Sequence, residues 1–77
     1  MKYYKPKKIL SALEILGFEL KGEPDMMAIY YLQHTKLTSI AITIDKYPEK
    51  LPEDYMRRKI GEIMNFDAFK TVYDSIN

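Results

Sequence analysis

The stretch Thr38-Ser39-Ile40-Ala41-Ile42-Thr43-Ile44 constrains the chain more than any other. Its strict alternation sets Ile40, Ile42 and Ile44 on one side and Ser39, Ala41 and Thr43 on the other. A strand with one apolar face must be covered on that face alone. Three segments carry the helical spacing that can do so. Ile9, Leu13 and Leu16 recur at i, i+4 and i+7, widened by Leu10 and Ala12. Met56, Ile60, Ile63 and Met64 form a second stripe, and Phe66, Phe69, Tyr73 and Ile76 a third.

Local signals bound these elements. Met1 to Lys5 reads as a basic, aromatic lead-in containing Tyr3-Tyr4. Pro6 suits a first helical position and Gly17 a position just past the helix end. Phe18 to Lys21 alternates as a short strand, and Gly22-Glu23-Pro24-Asp25 is a turn cluster. Met26 to Gln33 predicts a second strand whose two faces are both apolar, as expected of a central strand. His34 to Leu37 lacks the Asn or Gly of a tight hairpin and predicts a loop into the isoleucine strand. Asp45 to Leu51 predicts an extended crossing. Pro52-Glu53-Asp54 opens a helix with two acids where the helix dipole favours them, and Asn65 can cap the last helix, expected to be short. The expected fold is a single α+β domain over residues 1–77, two layers in the order α-β-β-β-α with a short C-terminal helix. Its helices pack on one face of a three-stranded antiparallel sheet.

A 77-residue chain buries only about 60% of the surface its unfolded form exposes, so one core must serve the whole domain. With 47% apolar and 30% charged residues the composition is that of a globular domain, not a disordered segment. The absence of cysteine removes disulfides and thiolate metal sites and points to a cytoplasmic location. No apolar run approaches the ~18 residues a membrane span requires, so no membrane partner is expected. Net charge is +1, unevenly spread. Residues 1–22 carry five lysines against Glu14 and Glu19, whereas residues 23–55 carry three lysines against six acids. So small a total excludes a strongly steering nucleic-acid surface, and any binding must be local.

The order of these elements, with a leading helix that runs into Leu16-Gly17-Phe18-Glu19-Leu20, resembles the HicA-type (YcfA-like) toxins. These are small double-stranded-RNA-binding-like domains of toxin–antitoxin pairs. Ile29-Tyr30 falls where that family's second strand reads Ile-Tyr or Val-Tyr, and Thr43-Ile44 where its third strand ends in Thr-Val. Leu51, Met56 to Ile60 and Phe66-Asp67-Ala68-Phe69 keep the spacing of its second helix and terminal segment. The resemblance implies RNA as ligand and a small antitoxin-like protein as partner. It also locates a departure. Ribonuclease members carry Gly-Ser-His at the start of the second strand, and this chain has Asp25-Met26-Met27 there. A thioether has no titratable proton, so Met27 cannot serve as general acid or base, and no catalytic residue is assigned. At the end of the third strand, where many members read Val-Pro-Arg-His, only a basic residue survives, as Lys46.

Other candidates are weaker. His34 is the one histidine and lies seven residues beyond Met27, roughly 23 Å along an extended strand, so it reads as a solvated loop residue. Asp45 with Glu49, and Glu53 with Asp54, are carboxylate pairs that could hold Mg²⁺ but read as a loop and a helix start. No metal or cofactor is expected. Tyr3-Tyr4 and Tyr30-Tyr31 could stack on bases, although in each pair one ring should face the core. Met26, Met27, Met56 and Met64 read as core packing. Lys5, Lys7 and Lys8 gather where cations oppose the dipole of the first helix, which makes them candidates for phosphate contact, as are Lys46, Arg57 and Arg58. Arg57, Arg58 and Lys59 fan around their helix and cannot meet one ligand together. Glu23, Asp25, Glu53 and Asp54 occupy places where related RNA-binding domains touch RNA, and they would repel phosphate. The alternative function is a protein-interaction module, a monomer or homodimer, that adds a strand at an exposed sheet edge.

Overall fold

The computed structural model describes residues 2–22, 29–46 and 48–76. In chain order the elements are β1 (Tyr3–Tyr4), α1 (Pro6–Ile15), β2 (Phe18–Gly22), β3 (Ile29–His34), β4 (Ala41–Asp45), β5 (Leu51–Pro52), α2 (Glu53–Gly61) and α3 (Phe66–Ser75). The α+β architecture is the one the sequence predicts, with β3 central in an antiparallel β2-β3-β4 sheet. Tyr30 pairs with Ile44 and Leu32 with Ile42, while Leu32 also faces Leu20 on the other side. Phe18, Tyr30, Leu32, Ile42 and Ile44 are buried, and Glu19, Lys21 and Tyr31 stand exposed on the opposite face. The alternation of the isoleucine strand therefore does select its covered side. Ile40 packs against the core from just outside β4.

The helix ends follow their residues. Pro6 occupies the first turn of α1 behind an extended Lys5, since a fixed φ and a missing N–H cost nothing there. Gly17 ends the helix with φ of 99°, a conformation L side chains rarely adopt, and donates its N–H to the Glu14 carbonyl at 3.1 Å. A β-carbon there would also approach His34 Nε2 to 3.0 Å. Asn65 Oδ1 accepts from Ala68 N–H at 3.1 Å and starts α3. That helix is ten residues, as long as α1, rather than short.

Three features depart from the sequence reading. The lead-in and the end of the crossing pair as a second sheet, Tyr3 with Pro52 and Tyr4 with Leu51, extended by Glu53 N–H donating to the Lys2 carbonyl at 3.0 Å. The isoleucine strand is narrower than predicted, because Ile40 N–H turns back to the Leu37 carbonyl. His34 ends β3 instead of opening the loop. It is half-buried, and its Nδ1 accepts from Lys36 and Leu37 N–H at 3.1 and 2.9 Å. The first part of the predicted second strand, Met26 to Ala28, lies outside the described residues.

The core joins the two sheets and three helices. Tyr4, Ile9, Leu13, Leu32, Ile44, Met56, Ile60 and Phe69 are fully enclosed. Each such side chain contributes on the order of 1.5–3 kcal/mol by leaving water. Tyr4 is the hub on the helical side, with ring centroids at 4.7 Å from Tyr73, 5.9 Å from Phe66 and 6.2 Å from Phe69. Among the described residues no polar or charged side chain is buried, so any chemistry belongs to the surface.

Candidate nucleic-acid interface

Three of the six basic candidates come together. Lys5 and Lys7 flank Pro6 at the start of α1, and Lys46 follows the last residue of β4. They line a shallow cleft of about 290 Å³ whose other walls are Tyr30, Pro48 and Glu49. The backbone fixes this arrangement. Lys5 N–H donates to Tyr73 Oη at 2.8 Å, which ties the start of α1 to α3. Tyr30 points inward from β3 and is nearly buried, and Lys46 Nζ stands 5.7 Å from its ring centre. The first turn of α1 contains no acid and no side-chain cap, so the positive end of the helix adds to three ammonium groups, with Glu49 the one carboxylate of the cleft wall among the described residues. That described wall is cationic although the chain is nearly neutral.

The remaining cations are engaged elsewhere. Lys8 lies 4.3 Å from the Tyr73 ring centre, a cation–π contact that supplies the stability role its sequence position lacked. Arg57 stacks on Phe66 at 4.7 Å and Arg58 lies 5.8 Å from Tyr55. Lys59, on a third side of α2, donates to Thr43 Oγ1 at 3.0 Å. The predicted divergence of Arg57, Arg58 and Lys59 therefore holds, and neither arginine reaches the cleft.

The acids do not form a site either. Asp45 ends β4 and accepts from Tyr55 Oη at 3.0 Å, not lying in a solvated loop. Glu53 accepts from Tyr4 Oη at 3.0 Å in addition to sitting in the first turn of α2. Burial first, then these carboxylates, raises both phenols. Tyr55 is pushed up to about 12, and Tyr4 is raised further. Among the described residues no three His, Cys, Asp or Glu side chains gather as metal ligands. Glu23, Asp25 and Met27 lie outside the described residues.

His34 is remote from the cleft. Tyr30 and His34 stand four residues apart on β3, roughly 13 Å along the strand, and the imidazole packs edge-on to Phe18 with centroids at 5.2 Å. Each tyrosine pair divides as expected. Tyr4 and Tyr30 are buried, while Tyr3 is 45% and Tyr31 40% exposed, with Lys50 Nζ 4.6 Å from the Tyr3 ring centre. Tyr30, Pro48 and Glu49 as cleft walls escaped the sequence reading. The one available signal was that Lys46 directly follows a strand whose partner carries Tyr30.

Comparison with protein-family models, curated proteins and solved structures returns no match. Among the described residues no helix is long and apolar enough to cross a membrane.

Proposed function

We propose that this chain is a HicA-like domain of the cytoplasm that binds RNA through phosphate contacts in the Lys5-Lys7-Lys46 cleft and does not cut it. The single observation that carries this reading is the convergence of Lys5 and Lys7 with Lys46, from the end of β4, around the acid-free start of α1. Collinearity with the HicA pattern supports RNA as the ligand and a small antitoxin-like protein as partner. Met27 at the family's histidine position argues against cleavage, and the only imidazole caps a loop at the far end of β3.

Fluorescence anisotropy with a short labelled RNA across a salt series tests the reading. Affinity should fall steeply with salt, and Lys5→Glu with Lys7→Glu should flatten the log–log slope by roughly 0.7–0.9 for each phosphate that is no longer neutralised. Lys8→Ala should leave that slope unchanged. Absence of binding at low salt refutes the proposal. A cleavage time course should show intact RNA with the wild type, and cleavage abolished by His34→Ala would mean an active nuclease instead.

A further inference from the structure

The two edges of the main sheet are treated differently. Along β4, α2 lies close and sends two side chains across. Tyr55 bonds to Asp45 and Lys59 to Thr43, a match between helical i, i+4 spacing and strand i, i+2 spacing that sets side chains of α2 over that edge. No strand pairs with the outer edge of β2 among the described residues. Unpaired edges invite pairing with another chain.

The phase of that edge follows from one bond. Thr35 N–H donates to the Gly17 carbonyl at 2.9 Å, so Gly17 turns its backbone groups toward β3. By the alternation of an antiparallel ladder Glu19 does the same, and Phe18 and Leu20 turn their N–H and C=O groups outward. Beyond Leu20 the register shifts across Lys21, which ends the regular edge. Leu20 is therefore the centre of a short strip, with Glu19 on one side and Lys21 on the other. Their charged ends lie 3.4 Å apart, which places both on the exposed face.

We infer that β2 pairs antiparallel with β2 of a second copy of this chain about a two-fold axis at Leu20. Leu20 would then exchange two backbone hydrogen bonds with its counterpart, an isologous contact. On either side, Glu19 would face Lys21 of the second copy, twice by symmetry. Glu19 holds a non-hydrogen-bonded position of that pairing, where side chains across strands approach most closely, and Lys21, at the register shift, keeps its side chain on the same face. The sequence Glu19-Leu20-Lys21 is thus complementary to itself only when reversed. That points to a second copy as the occupant, because its strand carries the match by symmetry. The strip is short, so association is weak and visible only at high concentration.

Sedimentation velocity over a dilution series from about 1 mM downward reads the association. The wild type should show a concentration-dependent shift from monomer toward dimer. Glu19→Lys and Lys21→Glu each set like charges face to face, and each should weaken association about tenfold or more. The double variant Glu19→Lys with Lys21→Glu restores opposite charges in swapped positions and should recover it. Both positions are exposed, and circular dichroism confirms that each variant is folded. A wild type that stays monomeric throughout overturns the inference and leaves the two charges as protection of a lone edge. Dimerisation indifferent to the single changes, or not rescued by the double change, also overturns it and places the contact elsewhere.

Discussion

Replacing Tyr4 tests the fold where its parts meet. The ring is fully enclosed, touches three aromatic rings of α3, and pins the N-terminal strand to β5. Tyr4→Ala removes that ring from a close-packed core, a class of change that costs about 3–5 kcal/mol. A domain of this length has a total stability of about 4–12 kcal/mol, so the loss is a large share of it. Tyr4→Phe keeps the ring and deletes the bond to Glu53. Glu53 is partly exposed and can turn to water, so the cost should be about 1 kcal/mol. Thermal unfolding followed by circular dichroism should show a midpoint lower by about 4–8 °C for Tyr4→Phe and a drop several times larger for Tyr4→Ala. Urea titration gives the same ranking from midpoints. Equal destabilisation by the two changes would refute the reasoning, because the hydroxyl and not the ring would then hold the segment. A Tyr4→Ala protein within about 1 kcal/mol of wild type would show that the N-terminal strand is dispensable.

Ile42→Asp should abolish folding by burying a charge without a partner, whereas Thr43→Asp, beside Lys59, should stay within about 0.5 kcal/mol of wild type in urea titration. His34→Ala releases the N–H groups of Lys36 and Leu37 to water and should cost about 1 kcal/mol while leaving RNA affinity unchanged. Tyr55 titrates at about 12 when folded, against about 10 in an unfolded chain. The folded state keeps the proton longer, so this contribution is complete below pH ~10 and lost as pH rises toward 12. Tyr55→Phe should flatten that part of the alkaline unfolding curve.

The sheet and the three helices were legible because each is written in a period. Ile42 and Ile44 declare a buried face by alternation, and Met56 and Ile60 do so by helical spacing. Pro6, Gly17 and Asn65 declare ends because each suits one backbone position. The small sheet was not legible. Two residues carry no period, and Tyr3-Tyr4 meets Leu51-Pro52 only because the remainder of the chain has folded between them. His34 misled for a related reason: a histidine reads as polar and loop-forming, while here its ring nitrogen organises the loop from the last position of the strand. The cleft was half legible. Lys5 and Lys7 stood out against the helix dipole, but Lys46 joins them through tertiary structure alone.

At the Lys5 end, Tyr73 ties the candidate interface to the fold. Its hydroxyl accepts from Lys5 N–H at the entrance of α1, its ring faces Lys8 and packs on Tyr4, and Lys2 closes the same end by bonding to Asp74. Lys5 is thus held from two sides, its N–H by Tyr73 of α3 and its carbonyl by Ile9 N–H of its own helix at 2.9 Å. Tyr73→Phe keeps the packing and removes only the first of these anchors. Stability should fall by about 1 kcal/mol, the worth of one partly buried hydrogen bond. If the cleft depends on that anchor, RNA affinity should fall as well while the salt slope, which counts lysines and not their order, stays as in the wild type. A slope that drops with the affinity would mean that Lys5 leaves the interface altogether when released. An unchanged affinity would show that the three lysines act as mobile charges and that the cleft needs no fixed geometry. Comparing slope with intercept in one anisotropy series separates these outcomes, because the number of charges and their placement enter the binding free energy through different terms.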